Sequence, residues 1–502
     1  MSSNASRREF LRHAGALSLL GPATPLALNL AALGNASAQT ANDYKAIVCL
    51  FLFGGNDAFN TVLATDTASW NNYVQVRNQQ PDPIALRAPG VAPLTSAGAG
   101  SPDRLGGVLA LNPINAQGRS FAVHPMLTAV RDLFNAGRLA IVPNCGPLMQ
   151  PLSKADYRNP AVPKPASLFS HNDQQSTWQS LAAEGATTGW GGRMGDLLAS
   201  QNDRAIFTSI SASGNAVWLT GQQVLQYQVS TSGAIRIGGS GSLYGSAVAL
   251  EKMRTIMRTA RGDSTLARDH TAVVGRSIDA EAAYSASLPA ANTVPYGSAG
   301  VTGADPLLQY DDPVTGNRQT NPLATQLQVV ARTIGARTAL GARRQVFFVS
   351  LGGFDTHDNQ NRQHAVLMAR LSHALAYFDT VLGALGLRNN VTTFTASDFG
   401  RTFTSNGDGT DHGWGAHHFV MGGAVRGRDL YGNFPQYGLS DGRGDFTSPN
   451  QIGNGSLLPE VGVEQIGATL GRWFGLSDGQ LLDVFPRLSR FDTSRRNLGF
   501  MV

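Results

Sequence analysis

Short apolar runs that end in glycine or an acidic turn alternate along this chain with stretches of helical periodicity. Apolar runs at 46–53, 346–351 and 391–396 are predicted to be buried strands. A helix predicted from 361 to 385 separates the last two runs, and this strand–helix–strand order is typical of a parallel sheet. The pattern therefore predicts an α/β fold with a mostly parallel central sheet flanked by helices.

A further helix and strand are predicted earlier in the chain. Leu127, Val130 and Leu133 follow helical spacing in a segment that ends near Gly137, and an apolar strand is predicted directly afterwards at 139–143. This second helix followed by a strand supports the same prediction of a mostly parallel sheet.

The first residues are predicted to be an export signal rather than part of the fold. Arg7 and Arg8 precede an apolar stretch at 14–33 and a small-residue cleavage site at 36–38. This arrangement is typical of a twin-arginine signal peptide over 1–38. An N-terminal membrane anchor is the alternative.

Export by this route would place the mature domain, 39–502, in the periplasm or outside the cell, with the twin-arginine export machinery as a partner. No later run reaches the ~18 apolar residues of a membrane span, so no transmembrane anchor is expected after cleavage. Within this domain, the region at about 200–330 has many glycines, serines and other small residues. It is predicted to be a loop-rich insertion or subdomain.

Composition excludes several classes of protein. Charged residues make up 15% of the 502 positions, below the ~25% that is usual, which argues against a disordered chain or a coiled coil. A net charge of +5 produces no strong field over this length, so no nucleic-acid partner is expected. Cys49 and Cys145 are too few for a cysteine zinc knuckle, and either one disulfide or two separate buried thiols would fit.

Three acidic residues come directly after predicted strands: Asp57, Asp355 and Asp398. Ligands of an open parallel sheet bind outside the carboxyl ends of its strands. Carboxylates gathered at one edge would repel one another unless a cation lay among them. The three residues are therefore predicted to bind a metal ion, although each, taken alone, also fits a turn or a helix cap.

Histidines near these acids would complete a mixed oxygen and nitrogen ligand set. His357 follows Asp355 closely, and His412, His417 and His418 lie downstream of Asp398. Zinc and manganese both accept such ligands. The alternative is that the adjacent histidines form a polar lip for an organic ligand.

Taken together, the motifs of this chain resemble those of the domain of unknown function 1501 family, an exported and largely uncharacterised group. The resemblance extends over roughly 45–490 and is weakest at 200–330. The motifs are Arg7-Arg8, Gly54-Gly55-Asn56-Asp57, Ser170-His171, Gly189-Trp190, Gly353-Phe354-Asp355-Thr356-His357, Ser397-Asp398-Phe399-Gly400-Arg401-Thr402, Asp411-His412-Gly413 and Ala468-Thr469-Leu470-Gly471-Arg472-Trp473-Phe474-Gly475.

That family is in turn similar to the alkaline phosphatase and sulfatase superfamily of metal hydrolases, which implies an alkaline-phosphatase-like fold. The resemblance implies that Asp57 is the acid after the first strand, that Asp355 and His357 bind one metal, and that Asp398 binds another. It also implies a late histidine ligand, at His417 or His418.

A hydroxyl nucleophile at a helix start is a further implication of this resemblance, for which the candidates by position are Ser170, Ser176 and Thr177. Two features depart from the superfamily pattern. Phe399 stands where a histidine usually follows the acid, and Asn359 stands four positions after Asp355, where the pattern has a histidine, because His357 lies only two positions after that acid. No cysteine lies near Ser170, which argues against a typical sulfatase.

We therefore expect an exported metal-dependent hydrolase that acts on phosphate or sulfate esters, either small molecules or groups borne on a polymer. Arg401 would hold an anionic oxygen, because its planar guanidinium suits phosphate or sulfate. The cofactor would be one or more zinc, manganese or calcium ions. The expected metal ligands are Asp57, Asp355, His357, Asp398, His412, His417 and His418.

The alternative is a non-catalytic periplasmic binding or envelope protein on the same fold, with a degenerate metal site. In that case Trp190 and Trp414 would form aromatic walls of the binding surface.

Overall fold

A nine-stranded sheet lies at the centre of the structure, a computed structural model that describes residues 44–238, 241–259 and 264–502. The described strands are β1 Lys45–Phe53, β2 Val62–Ala64, β3 Leu109–Leu111, β4 Phe121–Val123, β5 Leu139–Gly146, β6 Ser209–Ser211, β7 Tyr227–Ser230, β8 Gly233–Ala234, β9 Gln309–Asp311, β10 Arg318–Thr320, β11 Arg344–Gly352, β12 Val391–Ser397, β13 Ala416–Met421, β14 Gln451–Ile452, β15 Ser456–Leu457 and β16 Val461–Gly462.

Helices surround this sheet. The described α-helices are α1 Ala58–Thr61, α2 Thr67–Arg77, α3 Pro102–Leu105, α4 Thr128–Asn135, α5 Lys154–Arg158, α6 His171–Ser180, α7 Trp190–Leu198, α8 Ala247–Met257, α9 Thr265–Ser287, α10 Pro322–Gly335, α11 Arg337–Leu340, α12 Gln360–Ala384, α13 Val463–Phe474 and α14 Asp478–Val484.

The central sheet is mostly parallel, with the strand order β16-β5-β13-β12-β1-β11-β6-β7-β8. β1 lies in the middle and pairs in parallel with both β11 and β12. β13 and β8 are antiparallel to their neighbours. The expected fold class, an α/β protein with a mostly parallel sheet and flanking helices, is confirmed.

The strongest sequence patterns correspond closely to observed elements. The strand expected at 46–53 is β1, and the helix expected from 361 to 385 is α12. β1 is buried at all seven interior positions, and α12 buries apolar residues at helical spacing along its length, so each element has a clear apolar pattern. β13 was not predicted, because its two histidines interrupt the apolar run.

Side chains on one face of β1, namely Ile47, Cys49 and Phe51, pack in a core with residues of α7 and α13. Trp190 belongs to the same core and is fully buried. Trp414 is only 1% exposed and lies in a second apolar cluster. The expectation that these two tryptophans line a binding surface is therefore wrong.

Cys49 and Cys145 are both free thiols, and both are buried. Burial raises the pKa of each thiol well above its usual value, since the thiolate would be poorly solvated. Of the two arrangements that the sequence left open, the structure therefore has separate thiols.

The region at about 200–330 contributes β6, β7 and β8 to one side of the sheet and also supplies α8 and α9. The expected signal peptide, 1–38, lies outside the described residues. Within the described ranges, no helix combines the length and apolar character that crossing a membrane requires.

Candidate metal centre

The loops that follow β1, β11 and β12 meet at the carboxyl edge of the sheet, as expected for three adjacent parallel strands. Gly54 allows this contact because it has a φ of +115° and because a Cβ there would lie 2.3 Å from the backbone nitrogen of Asp355. Its own N–H donates to Asp398 Oδ2 over 3.1 Å. One glycine thus joins all three loops.

Three side chains at this edge could hold a metal ion: His171, Asp355 and His412. One ligand atom from each lies within 4.8 Å of the other two. His171 is the first residue of α6, Asp355 follows β11, and His412 lies in the loop between β12 and β13. Elements distant in sequence therefore build the cluster.

Three imidazole Nε2 atoms surround the Asp355 carboxylate. His171 Nε2 is 3.4 Å from Asp355 Oδ2, while the Nε2 atoms of His357 and His412 are each 3.2 Å from Oδ1. The latter two nitrogens are 3.0 Å apart. His171 Nε2 is buried and has no hydrogen-bond partner among the described residues.

The Nδ1 atoms of the same histidines face oxygen acceptors. His171 Nδ1 lies 2.7 Å from Asp398 Oδ2, and His412 Nδ1 lies 2.8 Å from the carbonyl oxygen of Phe169. These acceptors favour the tautomer with the proton on Nδ1, which leaves a lone pair on Nε2. Metal-binding histidines typically have such partners, so this donor set fits a divalent transition metal.

The nearest charges keep Asp355 ionised. Burial alone would raise the pKa of Asp355, but the Arg401 guanidinium, whose Nη1 donates over 2.8 Å, lowers it with help from His171 and His357. Asp355 is 44% exposed, so the side of the cluster that faces solvent is accessible to a small ligand.

The partly buried imidazoles of His171 and His412 differ in their preference for the protonated form. The hydrogen bond with Asp398 raises the pKa of His171, although burial opposes it. Burial lowers the pKa of His412. Protons and a metal ion would compete for His171, so metal binding should weaken in acid.

Phe399 occupies a packing position between the two histidines. Its ring centre is 4.8 Å from that of His171 and 4.6 Å from that of His412. A Cβ on Gly55 would lie 2.5 Å from the Phe399 ring, so this glycine leaves room for it. The residue that departs from the superfamily pattern therefore orients two imidazoles.

Asp57 lies apart from this cluster in a buried ion pair. Arg77 Nη1 is 2.6 Å from Asp57 Oδ2, and both side chains are 0% exposed. Burial alone would raise the pKa of Asp57, but Arg77 and a hydrogen bond from Gln360 lower it. The compensating cation beside this acid is thus an arginine.

His417 and His418 also lie outside the cluster. Both are in β13 and 1% exposed, with His417 Nδ1 accepting from the backbone N–H of Asn144 and His418 packing against Trp178. Burial lowers the pKa of each to about 3. They are therefore neutral core residues at physiological pH.

Acid is expected to destabilise the fold through these two histidines. An unfolded histidine binds a proton near pH ~6.5, whereas the pKa of each folded residue is about 3. Because the folded-state pKa is depressed, stability is highest above the unfolded pKa and is lost as the pH falls towards the folded one. From pH 7 to pH 5, each histidine should cost about 2 kcal/mol of unfolding free energy.

Urea unfolding of wild type and His418→Met at the two pH values measures this effect. The variant should lose less stability on acidification than wild type, by about 2 kcal/mol. His270→Met is the control, since His270 is exposed on α9. An unchanged pH dependence in His418→Met would contradict the prediction.

The residues expected to be catalytic have other partners. Ser170 Oγ donates to Asp173, while the hydroxyls of Ser176 and Thr177 donate to the backbone carbonyls of Ala183 and Asp173. Arg401 is 0% exposed. Its donors bond to Asp355, Thr410 and the carbonyl oxygen of Gly54.

Two members of the site were not among the expected ligands: His171 and Asp411. Asp411 Oδ1 is 3.4 Å from His357 Nδ1. The available signal for His171 was its place in a run of polar residues at a helix start. That signal does not reveal the partner, because Asp398 is 227 positions away.

The sequence model of a family described as "Protein of unknown function (DUF1501)" matches residues 44–485. No curated protein matches the chain. Two solved structures of Ps i-CgsB are similar to it. The complex with k-i-k-neocarrahexaose has 9% identity, a TM-score of 0.33, and coverage of 91% of this chain and 78% of its own. The other has 9% identity, a TM-score of 0.31, and coverage of 88% and 74%.

Proposed function

This chain belongs to the DUF1501 family, and we propose that it is an exported metal-dependent hydrolase of phosphate or sulfate esters. His171, Asp355 and His412 bind the ion. His357 is a further nitrogen donor on the solvent side, where its side chain is 46% exposed.

The observation that supports this proposal most is the convergence of three imidazole Nε2 atoms on one carboxylate. Without an ion, the nitrogens of His357 and His412, 3.0 Å apart, need a proton between them. With an ion, both lone pairs have a common partner. Two histidines and a carboxylate are also a ligand set of catalytic zinc sites, in which one position stays open.

A divalent ion bound there would polarise an ester oxygen and lower the pKa of a water molecule. The residues of the chain would bind the ion and orient its ligands. Arg401 holds Asp355 through Nη1, and Phe399 packs against two of the imidazole rings. The substrate class follows from the resemblance of the motifs to the alkaline phosphatase and sulfatase superfamily.

The second candidate is a non-catalytic periplasmic binding protein with the same metal site. It is favoured by one observation: the hydroxyls of Ser170, Ser176 and Thr177 already donate to other groups. None of the three hydroxyls is therefore free to attack as arranged. A hydrolase would need water as the nucleophile.

The test is an ester screen on the mature protein. Metal-free protein and protein restored with zinc or manganese would be assayed with p-nitrophenyl phosphate, bis-p-nitrophenyl phosphate and p-nitrophenyl sulfate. The proposal predicts turnover of at least one ester that needs metal and is lost in His412→Ala. Fully metal-loaded protein without turnover of any ester would favour the binding protein.

A further inference from the structure

Asp398 directly follows β12, where an acidic ligand would be expected, yet it contacts His171 at Nδ1, whereas Asp355 lies near Nε2 of the same ring. Its Oδ2 accepts from the backbone N–H of Gly54 at 3.1 Å and from Gln175 Nε2 at 2.8 Å. The same oxygen lies 2.7 Å from His171 Nδ1. Its side chain is 0% exposed.

We infer that Asp398 is a positioning residue that orients His171 toward a bound metal ion, rather than a metal ligand. The inference rests on the metal site of the proposed function. It assigns Asp398 a role that differs from the ligand role implied by the superfamily resemblance.

The orientation follows from the hydrogen bond between the two side chains. A carboxylate oxygen only accepts, so the imidazole must have its proton on Nδ1. The lone pair is then on Nε2, the atom that lies 3.4 Å from Asp355 Oδ2. Each imidazole nitrogen thus has one role, because the carboxylate fixes which of them has the proton.

The surroundings of Asp398 hold it in place. Gly54 and Gln175 come from two different elements, the loop after β1 and helix α6, and both donate to Oδ2. The other oxygen, Oδ1, is buried and has no hydrogen-bond partner among the described residues. A fixed acceptor behind His171 keeps the imidazole oriented before any ion binds.

The experiment measures zinc affinity by competition with a chromophoric chelator in wild type, Asp398→Asn and His171→Ala. Loss of the charged acceptor behind a metal-binding histidine typically weakens metal affinity by ~10–100-fold. Asp398→Asn should fall in this range, and His171→Ala should lose more. Asp173→Asn is the matched control, because Asp173 is on the same helix and bonds to Ser170.

Cobalt spectra add a readout that a general loss of packing would not change. Asp398→Asn saturated with Co²⁺ should keep the visible absorption of a nitrogen-ligated ion, although at higher metal concentration. Loss of that spectrum, or a fall in affinity as complete as that of His171→Ala, would make Asp398 a ligand and overturn the inference. Wild-type affinity in Asp398→Asn would overturn it too.

A measurement on wild type is independent of whether the variant folds. In crystals loaded with zinc, Asp398 Oδ2 should remain bonded to His171 Nδ1, with neither oxygen at the ~2.0–2.2 Å of a zinc ligand. An Asp398 oxygen on the ion would refute the inference while leaving the hydrolase proposal intact. Wild type that binds no zinc would instead refute the proposed function.

Discussion

Replacing Asp355 by alanine is expected to weaken divalent metal binding severely and to abolish any ester hydrolysis that depends on it. Among the residues that the structure describes, Asp355 is the carboxylate that all three Nε2 atoms approach, at 3.2 to 3.4 Å. Without it, a cation would meet imidazole nitrogens but no carboxylate oxygen, and Arg401 would lose its charged partner. Affinity should fall on the order of 100-fold or more, since outer-shell partners alone account for ~10–100-fold.

Calorimetric titration with zinc measures this loss, with activity as a second readout. Asp358→Ala is the matched control, because Asp358 is on the same loop, is exposed, and bonds only to the side chain of Gln363 among the described residues. The control should bind zinc as wild type does. Equal affinities in Asp355→Ala and Asp358→Ala would remove Asp355 from the site.

Replacing Arg77 by methionine should cost about 3–5 kcal/mol of unfolding free energy, the range for breaking one partner out of a buried ion pair. Methionine retains much of the volume but leaves Asp57 buried without its cation. Both side chains are 0% exposed, and Arg77 also donates to the backbone carbonyls of Thr402 and Phe403. The penalty comes mainly from the uncompensated carboxylate.

Urea unfolding of Arg77→Met tests this, with Arg131→Met as the control. Arg131 pairs with Asp132 at the surface, with side chains 34% and 65% exposed, so its loss should cost only ~0–1 kcal/mol. Adding Asp57→Asn to Arg77→Met should restore part of the stability by removing the buried charge. If Arg77→Met proved as stable as wild type, the buried charge of Asp57 would not need Arg77 for compensation.

The fold could be predicted because its main strands are buried along their whole length. β1 is apolar at every position after its first residue, so length and flanking glycines distinguish it from a surface strand. β13 could not be predicted because its buried positions include His417 and His418, and their burial depends on neighbours from β5 and β12. Local sequence does not contain that information.

The site could be predicted only in part. The rule that ligands lie at the carboxyl ends of parallel strands identifies Asp57, Asp355 and Asp398 as candidate ligands. It does not distinguish a metal ligand from an acid that has a protein partner. Arg77 is 20 positions from Asp57, on a helix with no marked apolar face, and nothing local identifies it as that partner.

The central claim is that His171, Asp355 and His412 hold one divalent ion. Anomalous X-ray diffraction at the zinc edge, on crystals of the mature protein grown with zinc, tests it most directly. We predict one strong peak at ~2.0–2.2 Å from His171 Nε2, His412 Nε2 and an oxygen of Asp355. No peak among these three side chains at saturating zinc, or a peak only elsewhere on the chain, would contradict the claim.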